Sequence, residues 1–423
     1  MLNFLKPRLR IQRPNPIPLI SFLIIQIYWM SLYSSGVFQI IGGIKAQIVI
    51  LIIWFFTLFL FNEKSLKVAL SKIEKHSQEL ILIVAFGFVH ICNMIIGRGD
   101  MAYGYFVKSL LLVITYGTVI IYLKNDYQRY MRATIIVTLA LGIIAVYVLP
   151  IIYAHPFIAR FYGAQEGEIH WFGSWGFFMT YAIAMPCLIA VTYQQRGLLK
   201  IFLLVLCFVM VLMILFSTFA ASIILLLMGF AGFILFSLRK KKTYFKIAFT
   251  VLMFIFIVRQ YDLSQVPQLE PMGEKIVTIF TLGSASNYED PNDPRVRGNL
   301  MKTSMKTFLE NPLFGIGVYD AETFGVEYVG NHSGIVDSMA QFGLIGIIWY
   351  LIFILICFRR LFLALKYNPS NLIHQARFLT FILFLIGAMA NPMLFDIGIS
   401  AIVFILALSP IGLNIAHRNA ITA

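Results

Sequence analysis

The sequence contains little charge and few acidic residues. Asp, Glu, Lys and Arg together make up 12% of its 423 residues, about half the share that is usual in soluble domains. Only 19 residues are acidic, against 33 lysines and arginines, so the net charge is +14. Apolar residues account for 60% of the chain. This composition argues against a soluble enzyme and against a soluble nucleic-acid-binding domain, and the basic excess needs another explanation.

Cysteine is scarce as well. The four cysteines, Cys92, Cys187, Cys207 and Cys357, all lie inside apolar segments, and their spacing is not that of metal ligands. We interpret them as small packed residues rather than disulfide partners. The sequence shows no internal repeat, no low-complexity tract and no second soluble domain. Neither a disulfide-stabilised protein nor a zinc protein is predicted.

Long apolar runs dominate what is present. Their length predicts an all-α polytopic membrane protein with about 12 transmembrane helices, and we treat residues 1–423 as one integral membrane domain. The first run follows a basic stretch without a convincing cleavage site, so it is predicted to be an anchor. The predicted spans are 17–35, 46–62, 79–96, 102–123, 132–153, 172–192, 198–216, 218–238, 244–259, 334–358, 376–394 and 397–415.

The distribution of lysine and arginine predicts the orientation. Most of the 33 basic residues fall in alternate connections, including a group with Arg360 and Arg377 after the tenth span, whereas the short loops on the other side hold only Lys45, Arg98 and Arg160. By the positive-inside rule both termini are cytoplasmic. The long connection between the ninth and tenth spans, residues 260–332, is then an extracytoplasmic loop.

The pattern of residues 294–310 in this loop predicts a short amphipathic helix. Pro294 suits the first helical position, and the pair Asn311-Pro312 marks the end. Two arginines near its start differ in position. Arg295 shares a solvated basic face, whereas Arg297 is in line with an apolar stripe that we predict to be the packed face, formed with Met301, Met305 and Phe308. Arg297 therefore needs an anionic or polar partner, which is either a nearby carboxylate or else a phosphate or substrate.

The pair His332-Ser333 lies where the loop meets the tenth span. Asn331, His332 and Ser333 are each suitable as the N-cap of that helix. An imidazole beside a helix N-terminus tends to stay neutral, and a neutral imidazole with a free nitrogen is what a general base requires. Ser333, Asp337 and Gln341 recur every four residues and form a polar stripe. The alternative is that His332 is only an interfacial cap.

Two local motifs resemble those of bacterial O-antigen ligases and the related O-antigen and capsule polymerases. One is His332-Ser333, followed after nine residues by Gly343 and then by Gly346. The other is Asn-Pro-Leu-Phe-Gly-Ile-Gly at 311–317, preceded by Arg297 fourteen residues before its asparagine. Twelve spans with a large outer loop between the ninth and tenth are also similar to that family.

The resemblance implies a metal-independent glycosyltransferase of the GT-C type, without a cofactor, in the bacterial inner membrane. Its donor would be an undecaprenyl-diphosphate-linked glycan. Its acceptor would be lipid A-core for a ligase, or a second lipid-linked glycan for a polymerase. In these terms His332 would deprotonate the acceptor hydroxyl and Arg297 would bind the donor diphosphate. A lipid-linked glycan flippase or another polytopic transporter is the alternative.

Further substrate-binding residues are predicted around this pair, namely Arg160, Arg295, Ser333 and Asp337. The surroundings of Arg160 are similar to an arginine-glycine pattern that family members carry before the sixth span, but a loop arginine paired with Glu166 or Glu168 is an equal alternative. The sequence departs from the family at 216–222, Phe-Ser-Thr-Phe-Ala-Ala-Ser, where many members carry an arginine and this chain has none.

Overall fold

The computed structural model describes residues 16–33, 43–61, 71, 76–95, 102–123, 126–154, 175–217, 219–237, 294–317, 329–330, 333–394 and 396–410. Across these ranges the regular structure is entirely helical. The helices are α1 (Pro16–Tyr33), α2 (Gly43–Phe61), α3 (Ser77–Ile95), α4 (Ala102–Leu123), α5 (Tyr127–Ala154), α6 (Trp175–Gln194), α7 (Gly197–Phe216), α8 (Ala220–Ser237), α9 (Pro294–Glu310), α10 (Gly334–Tyr367), α11 (Leu372–Ala390) and α12 (Ile397–Leu406).

The helices confirm a polytopic all-α membrane protein. Eleven of the twelve predicted spans coincide with a helix, and the predicted ninth span, 244–259, lies outside the described residues. Among the described residues, six segments are long and apolar enough to cross a membrane. These are Phe106–Leu123, Tyr127–Ala154, Gly176–Gln194, Gly197–Phe216, Gly334–Tyr367 and Leu372–Ala390.

The end of α12 differs from the prediction. The twelfth span was predicted to reach residue 415, but α12 ends at Leu406. Arg377 of α11 donates from Nε to the carbonyl oxygen of Ala407 at 3.0 Å and from its guanidinium to that of Ser409. Arg360 of α10 donates to the carbonyl oxygen of Leu408 at 2.6 Å. The two guanidinium groups supply the partners that these carbonyls would otherwise find in a continued helix.

Both arginines were predicted to lie in a cytoplasmic connection, but the structure places them within helices α10 and α11. Arg360 is in α10 and also donates to Glu79 at 3.1 Å, while Arg377 in α11 is only 2% exposed. The helices extend past the apolar run because the buried guanidinium group of Arg377 and the half-buried one of Arg360 have acceptors close by. An unpaired charge in this position would be costly, whereas these two guanidinium groups are hydrogen-bonded.

Contacts between helix ends agree with the alternation of cytoplasmic and extracytoplasmic connections that the lysines and arginines of the loops predict. Helix ends on the predicted cytoplasmic side lie together: Gln375 near the start of α11 donates to the carbonyl oxygen of Phe236 near the end of α8 at 3.3 Å. At the other end of α11, the Gly334 N–H donates to the carbonyl oxygen of Asn391 at 2.9 Å. Helix α11 has 19 residues and is about 28 Å long. The end of α8 and the start of α10 thus lie at opposite ends of α11, which is the arrangement that the predicted ninth span requires.

Helix α10 is broken at Gly343. This residue has φ 63° and ψ −174°, a conformation that is essentially restricted to glycine. A side chain is excluded there for a second reason, because a Cβ on Gly343 would lie 2.4 Å from the carbonyl carbon of Leu313. The backbone of residues 311–317, which we call the NPLFGIG segment, therefore packs directly against the break.

Backbone hydrogen bonds join the break to the NPLFGIG segment. The interruption releases carbonyl and N–H groups that a continuous helix would pair internally, and the segment pairs them instead. The four bonds run from Ile316 N to Ala340 O (3.0 Å), Gly317 N to Gln341 O (2.8 Å), Leu344 N to Pro312 O (2.8 Å) and Ile345 N to Leu313 O (3.1 Å). The two motifs that carried the family resemblance are thus bonded to each other.

Replacing Gly343 is expected to destabilise the protein. In Gly343→Ala the methyl group meets backbone atoms at 2.4 Å, and the conformation alone costs about 1–3 kcal/mol for a residue other than glycine. We expect a clear fall in the thermal unfolding midpoint in detergent. Gly117→Ala in α4 is the matched control, since nothing lies within 4 Å of its added Cβ. Equal midpoints for the two variants would contradict the break at Gly343.

Candidate functional site

Helix α9 lies along α10 and presents a polar face to it. Of its side chains from Asn299 onward, Ser304 and Thr307 are buried, whereas Met301 and Met305 are each 37% exposed. The predicted packed face was therefore wrong, because the methionine stripe faces outward and a small hydroxyl side chain faces α10. Ser304 fits there because it has a carboxylate partner on α10, and methionine side chains can remain outside where the surroundings are apolar.

An apolar surface continues from α9 through the NPLFGIG segment to α10. Leu313 and Phe314 are 55% and 60% exposed, and their backbone is bonded to the start of the second half of α10, where Leu344 and Ile345 are also exposed. Since α10 is a candidate membrane span, we expect its exposed apolar side chains to face lipid. We therefore expect Leu313 and Phe314 to contact lipid.

A buried hydrogen-bond network centred on Asp337 joins α9, α10 and the chain that enters α10. The Ser304 hydroxyl donates to Asp337 Oδ1 at 2.6 Å, and the Ser333 N–H donates to Asp337 Oδ2 at 2.7 Å. The Gly330 N–H in turn donates to Ser304 Oγ at 2.8 Å. Asp337 is 5% exposed and Ser304 is fully buried. Each oxygen of the carboxylate is thus held by a donor of the protein.

Ser333 is the N-cap of α10. It has an extended backbone conformation, and its Oγ accepts a hydrogen bond from the Val336 N–H at 3.3 Å. Of the three residues that were suitable as caps, the structure selects Ser333, and Asn331 and His332 lie outside the described residues. His332 is consequently the residue directly before the N-cap of a 34-residue helix. The Asp337 carboxylate in the first turn complements the positive end of the helix dipole.

The chain before His332 approaches α9 very closely. A Cβ on Gly330 would lie 2.3 Å from the carbonyl oxygen of Leu300, so only glycine allows this contact. Leu300 is one helical turn after Arg297, about 4.5 Å along the axis. Two residues before His332, the chain therefore lies within one turn of the backbone position of Arg297.

The six predicted site residues are described to different extents. Ser333 and Asp337 belong to the buried network. Arg295 and Arg297 lie in the first turns of α9, with their side chains outside the described part of the structure, and His332 and Arg160 lie outside it altogether. Ser304 and Gly330 were missed. Ser304 follows Arg297 by seven residues, nearly two turns, so it is on the same side of α9, and this spacing was the available signal.

The connection between α11 and α12 forms a neighbouring wall. It meets the start of α10 through the bond from Gly334 to Asn391 and carries Asp396, which caps α12 by accepting from the Ile399 N–H at 2.9 Å. Burial raises the pKa of Asp396, although backbone N–H groups and Lys108 oppose the shift. A Cβ on Gly176 would lie 2.9 Å from Asp396 Oδ2. The beginning of α6, which follows the predicted loop of Arg160, thus lies beside this wall.

Comparison with protein families identifies the region that contains this site. Residues 203–351 match the family model described as O-antigen ligase. This part of the chain is an O-antigen ligase domain. It extends from α7 into α10 and includes α9, the NPLFGIG segment, His332 and Asp337, whereas Arg160 lies before it. No curated protein matches the chain.

The match confirms the family resemblance that the motifs predicted. Members of this family are O-antigen ligases and polymerases, which are enzymes that transfer glycans at membranes. The two motifs and the buried network all fall within the O-antigen ligase domain.

The lipid contact of the NPLFGIG segment can be tested by cysteine labelling. Phe314→Cys is expected to react with an apolar maleimide and to resist a charged one, because charged reagents are excluded from hydrocarbon. Lys302→Cys, on the exposed basic side of α9, is expected to react with both. The parent chain is the control, since its four cysteines are buried or half-buried within helices. Rapid reaction of Phe314→Cys with the charged reagent would contradict lipid contact.

Proposed function

We propose that this protein is a membrane glycosyltransferase of the O-antigen ligase or polymerase type. It takes a glycan from undecaprenyl diphosphate and transfers it to lipid A-core or to a second lipid-linked glycan, on the periplasmic face of the bacterial inner membrane. One observation carries the proposal beyond family membership. Within the O-antigen ligase domain, the helix of Arg297 is hydrogen-bonded through Ser304 and Asp337 to the residues on either side of Asn331 and His332.

The transfer needs a base, a cationic partner for the leaving group and good positioning. The acceptor hydroxyl attacks the anomeric carbon of the donor sugar and gives its proton to His332, acting as general base. The bond from the anomeric carbon to the diphosphate oxygen breaks, and undecaprenyl diphosphate leaves with the electron pair. Arg297 binds the diphosphate, for which a planar guanidinium with paired donors is well suited. Diphosphate is already an activated leaving group, so these elements are sufficient.

The remaining predicted residues have supporting roles in this proposal. Arg295 and Arg160 add positive charge near the donor diphosphate, and Arg160 or Arg259 takes the place of the family arginine that is missing from 216–222. Ser333 and Asp337 lie at the N-terminus of α10, and Ser333 follows His332 directly in the sequence. The start of α6 is beside the same wall of the site, which favours a role for the loop before it.

Loss of His332 or Arg297 is expected to abolish surface glycan assembly. His332→Ala removes the base and Arg297→Ala removes the diphosphate partner, so each should lower transfer by at least about 100-fold, while membrane levels of the protein stay normal. Arg297→Lys keeps the charge but not the paired donors and should retain partial activity. Lys302→Ala, an exposed cation of the same helix, is the control and should leave transfer unchanged. Normal long-chain glycan in both alanine variants would refute the proposed function.

The same experiment distinguishes a ligase from a polymerase. Lipopolysaccharide from the variant strains is separated on a gel and stained for glycan. Loss of a polymerase leaves single repeat units on the acceptor, whereas loss of a ligase leaves the acceptor bare. An intermediate ladder of normal spacing but reduced intensity would indicate reduced rather than abolished transfer.

The proposed orientation predicts which side chains a reagent reaches from outside. In spheroplasts, an impermeant maleimide should label Lys306→Cys on α9 and should not label Arg196→Cys, which lies between α6 and α7. Both positions are exposed in the structure, so exposure alone does not separate them. After the membrane is permeabilised, both variants should be labelled. The reverse pattern in intact spheroplasts would place the site in the cytoplasm and overturn the assignment.

A further inference from the structure

We propose that Ser304 and Asp337 act as a positioning pair for glycan transfer. They hold the helix that carries Arg297 in a fixed place relative to the segment that carries His332. This inference rests on the proposed function and assigns a role to Ser304, which the sequence analysis did not single out. It also gives Asp337 a role through other residues rather than through contact with the substrate.

Hydrogen bonds to the pair hold the segment 330–333 at both of its ends. Gly330 donates its N–H to Ser304, and Ser333 donates its N–H to Asp337. Ser304 and Asp337 are bonded to each other at 2.6 Å. The two residues between these anchor points are Asn331 and His332, so any displacement of the pair is transmitted to the backbone on both sides of His332.

The donor and the acceptor can be assigned in each of the three hydrogen bonds of the pair. The Ser304 hydroxyl has one proton, which goes to Asp337 Oδ1, and its oxygen is left to accept the Gly330 N–H. Asp337 Oδ2 accepts from Ser333. Hydrogen bonds to an ionised acceptor are stronger than neutral ones, and the N-terminus of α10 favours the negative charge. An asparagine at 337 would turn an amide N–H₂ toward one of these donors.

The same pair fixes α9. Ser304 follows Arg297 by seven residues, about 10.5 Å along the helix axis and on the same side of the helix. Gly330 also packs against Leu300, which is between them. If Ser304 loses its partner, the middle of α9 is free to move away from α10 and to carry the backbone of Arg297 with it. A misplacement of about 1 Å between reacting groups can reduce a rate by about 100-fold.

Neither member of the pair is accessible enough to be a catalytic residue. Ser304 is fully buried, and both oxygens of the Asp337 carboxylate bind donors of the protein. Their effect on the reaction must pass through the groups that they position. This distinguishes them from His332 and Arg297, to which the proposed function gives direct contact with the substrates.

The test uses the full-length protein with Ser304→Ala, Asp337→Asn and the double variant. The donor is the undecaprenyl-diphosphate-linked repeat unit extracted from host cells that lack this chain. We expect each single variant to lower kcat about 10- to 100-fold with little change in the KM for donor. Because both changes break the same link, the double variant should lose no more than about the larger single loss.

The matched control is Ser338→Ala. Like Ser304, Ser338 is a buried serine, but it lies in the first turns of α10. Its hydroxyl donates within that helix to the carbonyl oxygen of Gly334 and makes no link to α9. This variant removes the same group at the same depth and should keep kcat. Membrane levels and unfolding midpoints of all variants are measured in parallel, so that general loss of folding is separated from loss of positioning.

Hydrogen exchange gives a readout that does not depend on catalysis. Ser304→Ala should raise the exchange rate of the Gly330 amide, because that N–H loses its acceptor. Asp337→Asn should raise the exchange rate of the Ser333 amide if the new N–H₂ group faces Ser333, or that of the Gly330 amide if it faces Ser304 and displaces it. Ser338→Ala should change neither. Unchanged exchange at both amides would overturn the proposal, and so would increased exchange with wild-type kcat. If the purified wild-type protein and His332→Ala show the same transfer, the proposed function fails instead, whatever the exchange rates show.

Discussion

The polar backbone groups released by the break in α10 must find partners, and this requirement organises the α9 side of the molecule. A lipid-exposed helix cannot leave N–H and carbonyl groups unpaired, because each unsatisfied group costs several kcal/mol in hydrocarbon. The NPLFGIG segment supplies four of the missing partners through its own backbone. Its approach requires glycine on both sides, at Gly343 in the helix and at Gly315 in the segment, where a Cβ would lie 2.4 Å from the carbonyl oxygen of Gln341.

The four backbone hydrogen bonds at the break fix one end of α9 to α10, and the buried network around Asp337 fixes the middle of α9. The NPLFGIG segment directly follows α9, so its bonds to the break anchor the C-terminal end of that helix. Ser304 anchors the middle through Asp337, and Leu300 contacts Gly330 one turn earlier. Helix α9 is thus attached at successive points along one face. Such attachment is needed if an arginine from a long connection is to meet a histidine at a helix end with useful precision.

The sequence predicted the helices well and the contacts between them less well. Eleven spans could be located because length and hydropathy are local properties. The packed face of α9 could not be inferred in the same way, since in a membrane protein an apolar stripe can face lipid and a hydroxyl can face a buried carboxylate. The helical positions and hydrogen bonds of Arg360 and Arg377 could not be inferred for a related reason. Their acceptors come from Leu408, Ala407 and Ser409, which only the fold brings near.

Arginines lie both near the end of α12 and at the start of α9, and their positions bear on where a diphosphate could bind. At the end of α12, the guanidinium groups of Arg360 and Arg377 are occupied by backbone carbonyls, and Glu79 adds a carboxylate partner for Arg360. Bringing a diphosphate to these groups would require breaking bonds that hold α3, α10 and α11 to one another and to the end of α12. Helix α9, by contrast, begins with two arginines, and the buried side chain that attaches it to α10 among the described residues is Ser304, which is neutral. This link is made by a hydroxyl and a carboxylate, so it is compatible with the proposed use of Arg297 for the donor diphosphate.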